Sequence, residues 1–277
     1  AAARGLDYAQ AAMKREMFGL ISPFHQVQEG WHAIGHVVNP FFNIPKIDMR
    51  RPDMMDAANH GLMLLPDRSS SRVYLEGVGT HSTLISRGIR KLTPVGRAIS
   101  EKVIDGYQNY LFHQYIPGLK FKTYEALLKR NTKLYAEELG SGTMTVADVK
   151  ITSAEQANAA YGHLNYALLD RNPTMQHLMQ LGLLAPDFLE ARTRFVGQGL
   201  KGLTSKVGHE QFKAIAILAM VQAGTAYTLS QLLGGEWNPK SPFELIYKGR
   251  KYTLRSVPED FLRFGADITT MLSGGTH

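Results

Sequence analysis

The sequence predicts a mainly α-helical protein, a multi-helix array or bundle with one β-hairpin near the C-terminus, at about residues 243–257. Three observations indicate this fold class. Apolar residues recur at helical spacing through most of the chain, residues typical of helix starts and ends bound these segments, and no repeat of 20–50 residues appears. The 277 residues are 44% hydrophobic and 20% charged, a globular composition that can bury a substantial core.

Helices separated by proline-rich loops are predicted over the first 115 residues. The second helix ends at Asn39-Pro40, because proline disfavours a helical residue before it. The last helix of this region is predicted to end at Pro117-Gly118. Residues 72–81 are compatible with either a short strand or a loop. The predicted helices of this region lie at residues 6–20, 25–38, 54–65, 83–91 and 95–115.

The second half is predicted to be helical until the hairpin. One helix begins with a capping box, in which Thr152 and Glu155 satisfy free backbone N–H groups reciprocally. The hairpin strands at residues 243–247 and 251–257 are rich in aromatic and branched residues, and Gly249 supplies the positive φ that a tight turn needs. The predicted helices of this half lie at residues 119–139, 152–169, 174–183, 187–200, 208–233 and 259–272.

Two regions are expected, residues 1–115 with their loops and residues 116–277 with the hairpin and final helix. The chain begins at Ala1 without an initiator Met and ends in a glycine-containing stretch, so we expect it to be a segment of a larger protein. It contains no cysteine. Disulfides, thiolate metal sites and cysteine nucleophiles are therefore excluded.

The net charge of +7 is concentrated in one stretch. Residues 72–133 contain eleven lysines and arginines against four acids, which accounts for the whole excess. Such a stretch attracts polyanions, nucleic acid or an acidic membrane surface. A solvated face of a basic protein is an equally weighted alternative. The candidate polyanion contacts are Arg87, Arg90, Lys91 and Arg97.

No catalytic, cofactor or metal site is predicted. Gly197, Gly199 and Gly202 spell a dinucleotide fingerprint, but the residues before them indicate a helix rather than a strand, so a loosened helix end is favoured. His32 and His36 share a helical face with Glu29 nearby, and buried histidines are favoured over a metal site. The acids of the pairs Glu137-Glu138 and Glu259-Asp260 are adjacent in sequence, so their side chains diverge on a helix.

Residues 214–235 form the longest uncharged run, between Lys213 and Glu236. Its length would cross a bilayer, for which about 20 apolar residues suffice. Gln, Thr and Ser side chains dilute it and alanines dominate its first half. A buried helix inside a bundle is therefore favoured, and a helix that inserts into a membrane or oligomerises there through small residues is the alternative.

Short motifs from about residue 116 to residue 265 carry a resemblance. They are Gly118-Leu119-Lys120 with Tyr124-Glu125, Asn158-Ala159-Ala160-Tyr161-Gly162 with Asn165, Leu184-Ala185-Pro186-Asp187-Phe188 with Glu190-Ala191-Arg192, and Pro242-Phe243 with Tyr252-Thr253-Leu254-Arg255-Ser256-Val257-Pro258. This series resembles a family of very large polyvalent proteins that recurs in phage and prophage genomes. Residues 1–115 share the family's general style, residues 25–39 above all.

The resemblance implies a protein made in the host cytoplasm, packaged inside the virion and ejected with the DNA toward the host cell envelope. The family includes enzymatic modules, but the resemblance assigns no catalytic residue to this segment, so a non-enzymatic role is predicted. The resemblance also implies assembly with sister subunits and portal or ejection-protein neighbours, with DNA and, through residues 214–235, a membrane as further partners. It assigns no cofactor. A nucleic-acid-binding module that uses residues 72–133 is the alternative, and its affinity for duplex DNA would fall steeply with salt. An enzyme segment completed by other parts of the parent chain is the third hypothesis.

Overall fold

A computed structural model of the chain describes residues 29–64, 110–161, 186–206 and 208–253. Within these ranges the protein is mainly helical, with a small antiparallel sheet near the C-terminus, and the predicted fold class is confirmed. The helices are α1 (residues 29–35), α2 (Pro52–Asn59), α3 (Ile116–Leu134), α4 (Ala136–Gly140), α5 (Val146–Ala160), α6 (Pro186–Lys201) and α7 (His209–Leu233). The strands are β1 (Glu236–Trp237), β2 (Glu244–Tyr247) and β3 (Arg250–Thr253).

Backbone contacts divide the chain into two compact units. Unit 1 comprises Ala1–Ala33 and Val38–Ala191, and unit 2 comprises Ile34–Val37 and Arg192–His277. Unit 1 therefore joins residues from both sides of position 115, and the division into residues 1–115 and 116–277 stays a prediction. The helices predicted at residues 6–20, 83–91, 174–183 and 259–272 lie outside the described residues.

The core of unit 1 forms where α3 and α5 pack along each other and α2 with the segment after it covers them. Phe121 and Leu127 of α3 meet Ala154 and Ala157 of α5, whose small side chains let the two helices approach closely. Burying such apolar surface stabilises the fold by about 25 cal/mol per Å². The members of this core are Met54, Ala57, Leu62, Leu64, Phe121, Tyr124, Leu127, Ala154 and Ala157.

The chain stays helical through Pro117-Gly118, so the predicted helix end there is wrong. A π-helical turn at Leu111–Tyr115 leads directly into α3, and Tyr115 keeps helical angles of φ −66° and ψ −59°. Pro117 lies in the first turn of α3, where a missing N–H costs no intrahelical bond. Gly118 is required for packing, because a Cβ there would lie 2.6 Å from Cγ2 of Ile44.

The start of α5 is also a correction. The helix begins at Val146 and not at residue 152, because Thr145 is the N-cap. Its Oγ1 accepts a hydrogen bond from the backbone N–H of Asp148 at 3.2 Å, and the Asp148 carboxylate accepts one from the Thr145 N–H at 2.8 Å. This capping box holds the pKa of Asp148 below its ordinary value. Thr152 and Glu155 share the spacing but lie inside the helix.

Unit 2 is built around α7, which packs against β1 and β2. The strand order is β1-β2-β3 with antiparallel neighbours, and the predicted hairpin corresponds to β2 and β3. Its two-residue turn has positive φ at Lys248 (51°) and Gly249 (71°), as a turn matched to strand twist requires. Strand β1, which pairs Trp237 with Leu245, was not predicted because two residues carry no alternation pattern.

Candidate functional site

The interior of unit 1 contains a polar cluster, which we define as Lys120, Thr123, Asn158 and Tyr161. All four side chains are buried. Lys120 and Thr123 belong to α3, and Asn158 belongs to α5. Tyr161 is the C-cap residue of α5. Because buried polar groups without partners destabilise a fold, the partners of each one determine what the cluster does.

Lys120 is the charged member of the polar cluster and is 1% exposed. Its Nζ donates to the backbone carbonyl of Met63 at 2.9 Å. Burial lowers the pKa of Lys120 from 10.5 to about 7, and the nearby Glu29 carboxylate opposes this shift only in part. An amine with such a pKa can serve as a base or nucleophile when a substrate reaches it. Buried to this degree, Lys120 acts here as a hydrogen-bond donor that anchors Met63.

The other members of the polar cluster also tie helices to the chain around them. Asn158 accepts from the backbone N–H of Met63 at 3.0 Å and donates to the carbonyl of Gly61 at 2.8 Å. The hydroxyls of Thr123 and Tyr161 are 2.9 Å apart, and burial raises the pKa of Tyr161. The cluster therefore fixes residues 61–63 on α3 and α5.

Unit 1 also carries a pair of aromatic side chains that are exposed to solvent, in contrast to the buried polar cluster. Phe41 and Phe42, which we call the aromatic loop, are 75% and 68% exposed. The side-chain oxygen of Asn39 accepts from both of their backbone N–H groups, at 2.8 and 3.3 Å. Lys122 Nζ donates to the carbonyls of Asn39 and Phe42, at 3.1 and 2.8 Å. The backbone that carries the two exposed phenylalanines is therefore held in place by hydrogen bonds.

Helix α7 of unit 2 is the one described helix whose length and composition would allow it to cross a membrane, a property shared with core helices of globular proteins. Only 28% of its most apolar 18-residue stretch is buried. Leu218 and Ala226 face the core, whereas Met220 and Tyr227 are exposed. The prediction of a helix buried inside a bundle therefore does not hold for this side of α7.

The glycine triplet lies at a helix end, as the sequence indicated. Gly197 and Gly199 belong to α6, and Gly202 follows it. A Cβ at Gly199 would lie 2.5 Å from Cδ1 of Ile215, and one at Gly202 would lie 2.4 Å from the carbonyl of Gly208. Gly199 and Gly202 therefore allow α6 to pack closely against the start of α7. A helix, and not the strand that a dinucleotide fingerprint needs, precedes the glycines.

The two histidines are buried, as predicted. The ring of His32 lies 6.2 Å from that of Tyr161, and the ring of His36 lies 6.0 Å from that of Phe195. Among the described residues no group of three or more His, Asp or Glu side chains is placed to hold a metal ion. Glu137 and Glu138 lie on the short helix α4, and the pair Glu259-Asp260 lies outside the described part of the chain.

The polyanion candidates Arg87, Arg90, Lys91 and Arg97 all lie outside the described ranges. The described end of the basic stretch is less available than its composition indicated. Lys120 is buried and Lys122 bonds the aromatic loop, which leaves Lys129 and Lys133 exposed on α3. Two lysines of the basic stretch thus have structural partners.

Sequence reasoning missed the polar cluster, although the resemblance motifs contain Lys120, Asn158 and Tyr161. Lys120 lies on the apolar side of α3, because it comes four residues after Ile116 and seven residues before Leu127. A lysine on an apolar stripe is the signal that could have identified it.

No family model, no curated protein and no solved structure matches the chain.

Proposed function

We propose that this chain is a non-enzymatic, virion-internal structural and DNA-ejection component of a bacteriophage. It acts by assembly with sister subunits and with neighbours at the portal. The resemblance of residues 116–265 to the large polyvalent proteins of phage and prophage genomes supports the class. The aromatic loop is the observation that supports the mode of action.

The aromatic loop has the properties of a contact point for a protein partner. Aromatic side chains that are fixed before binding contribute most to protein interfaces, since little conformational entropy is lost when they dock. Asn39 and Lys122 hold the loop backbone through three hydrogen bonds, and a fourth joins Lys122 to the carbonyl of Asn39. Lys122, one of the basic residues, thus organises an apolar contact.

Quantitative mass spectrometry of purified particles, before and after triggered DNA release, tests the class. Peptides of this chain present before release and depleted afterwards support a delivered protein. Peptides retained in the emptied shell support a fixed structural part. Absence from the particles at both stages contradicts the proposal and favours the DNA-binding alternative.

Replacement of both aromatics, Phe41→Ser with Phe42→Ser, tests the mode of action. The side chains are exposed, so the fold is expected to remain intact. Each interface aromatic contributes about 2 kcal/mol, so we expect incorporation into particles to fall about thirtyfold or more. Val146→Ser is the matched control, because Val146 is an exposed apolar residue of the same unit. Wild-type copy number in the double variant would contradict a role of the loop in assembly.

A further inference from the structure

The exposed side of α7 carries a continuous stripe, which we define as Lys213, Ile217, Met220, Gly224 and Tyr227. Their spacing of three and four residues places them along one side of a helix. Met220 is 66% exposed. Among the described residues, no atom outside the adjoining backbone of α7 would lie within 4 Å of a Cβ at Gly224. The stripe is apolar except at Lys213, near the helix N-terminus.

Three hydroxyl side chains in the second half of α7 donate hydrogen bonds inside the helix. Thr225 Oγ1 donates to the carbonyl of Val221 at 2.8 Å, and Thr228 Oγ1 donates to that of Gly224 at 2.8 Å. Ser230 Oγ donates to the carbonyl of Tyr227 at 2.7 Å. Hydroxyls with internal acceptors lower the cost of placing a helix in an apolar medium. These three hydroxyl groups of α7 therefore do not require water as an acceptor.

The described part of unit 2 exposes many more cations than carboxylates. In residues 193–206 and 208–253 the structure describes one exposed carboxylate, Glu236. Seven exposed cations stand against it, before and after the uncharged run. They are Lys201, Lys206, Lys213, Lys240, Lys248, Arg250 and Lys251. An apolar stripe that includes Lys213, in a unit whose described exposed charges are mostly cations, is complementary to a layer whose surface is anionic and whose interior is hydrocarbon.

We propose that the α7 stripe docks on an anionic lipid bilayer and lies in the plane of its surface. A surface position follows from the other side of the helix, where Leu218, Gln222 and Ala226 are buried. A spanning position would also separate α7 from β1 and β2, against which it packs, and would break the edge contact between the rings of Tyr227 and Trp237. This inference deepens the proposed ejection role, since delivery to the cell envelope brings the chain to such a surface.

Co-flotation of the 277-residue chain with vesicles tests the inference. We expect binding to vesicles of about 30% phosphatidylglycerol in phosphatidylcholine, and much weaker binding to phosphatidylcholine alone. Raising NaCl from about 50 to about 500 mM should weaken the binding, because added salt screens the cations. Equal binding to both vesicle types, or none to the anionic ones, would overturn the inference.

Two substitutions identify the surface that binds. Met220→Glu should lower the vesicle affinity about tenfold or more, because it removes an inserted apolar side chain and adds an anion. Its matched control is Met55→Glu, an exposed methionine of α2 in unit 1. Lys213→Glu should lower the affinity about tenfold, whereas Lys129→Glu on α3 should not. Circular dichroism verifies that all four variants remain folded.

Sedimentation of the same variants separates lipid from protein as the occupant. If Met220→Glu dissociates an oligomer of the wild-type chain and leaves vesicle binding unchanged, the stripe is a contact between copies and the inference is wrong. The result is also separable from the particle test. A packaged chain that does not bind vesicles contradicts only the lipid contact, and a vesicle-binding chain absent from particles contradicts only the virion role.

Discussion

The two units differ in what their polar side chains bond. In unit 1, Lys120 and Asn158 are buried and bond backbone atoms distant in sequence, at Met63 and Gly61. In unit 2, Thr225 and Ser230 bond the backbone of their own helix, and the apolar Met220 is exposed. These polar side chains of unit 1 thus join segments that are distant in sequence, whereas the hydroxyls of α7 bond within one helix.

This difference indicates different roles for hydrogen bonds. A buried bond between distant segments specifies one arrangement of the chain, because losing it leaves a buried donor or acceptor without a partner. A hydroxyl bonded to a carbonyl one helical turn back specifies nothing beyond the helix. Unit 1 therefore has the interior of a fixed scaffold, and α7 of unit 2 has a surface suited to a partner that is apolar.

The largest effect is expected from Asn158→Ala in the polar cluster. It removes the acceptor for Met63 N–H and the donor to the Gly61 carbonyl and leaves a cavity, so the free energy of unfolding should fall by about 3 kcal/mol. Urea denaturation of the whole chain measures this change. Asn59→Ala, at an exposed position of α2, should change it by less than about 0.5 kcal/mol. Equal effects of the two substitutions would contradict the structural role of Asn158.

The second expected effect is a pH dependence that Lys120 causes. The pKa of Lys120 is about 7 in the folded state, whereas its ordinary value, which applies to the unfolded chain, is 10.5. At a pH between these two values the unfolded chain holds a proton that the folded chain lacks. The free energy of unfolding should therefore rise with pH, by about 2 to 3 kcal/mol from about pH 7.5 to about pH 9.5. Above this window tyrosine ionisation reverses the trend, since burial raises the pKa of Tyr124 to about 12 in the folded state.

Lys120→Met tests the origin of this slope. Denaturation curves at several pH values should show no rise for this variant between about pH 7.5 and about pH 9.5. The control is Lys129→Met, an exposed lysine of the same helix, which should keep the wild-type slope. A slope that persists in Lys120→Met would show that other groups produce it.

The smallest effect is expected from Thr225→Val in α7. Valine keeps the shape of threonine, and the lost hydroxyl donated only to Val221 of the same helix. The free energy of unfolding should change by less than about 0.5 kcal/mol, since such bonds add little to helix stability. A loss comparable to that of Asn158→Ala would remove the distinction between the two units.

Elements with strong local signals were predicted closely. Helices α6 and α7 begin within one residue of their predicted starts, after Leu184-Ala185 and at Gly208. The hairpin turn coincides with Gly249, whose positive φ excludes most other residues. In each case a proline or glycine restricts the backbone at the boundary, and neighbours distant in sequence are not needed.

Boundaries that depend on context were predicted wrongly. Pro117 reads as a stop, but it falls in a first helical turn once the π-helical turn precedes it. Thr145 and Thr152 each precede an acid by three residues, and only packing decides which threonine caps the helix. Ala154 and Ala157, just after Thr152, face the core of unit 1. A helix start at Thr152 would remove the preceding turn, which carries the buried Val149.

The amino-acid pattern alone specified the helical class, the hairpin and the uncharged run of α7, because periodicity and backbone restriction are local properties. It identified Lys120 as part of a basic stretch and favoured α7 as a buried helix. In the structure Lys120 is buried, and one side of α7 is exposed. Whether a lysine is solvated, or a helix is covered, depends on segments far away in sequence. Only the tertiary structure brings Met63 to Lys120 and leaves Met220 exposed.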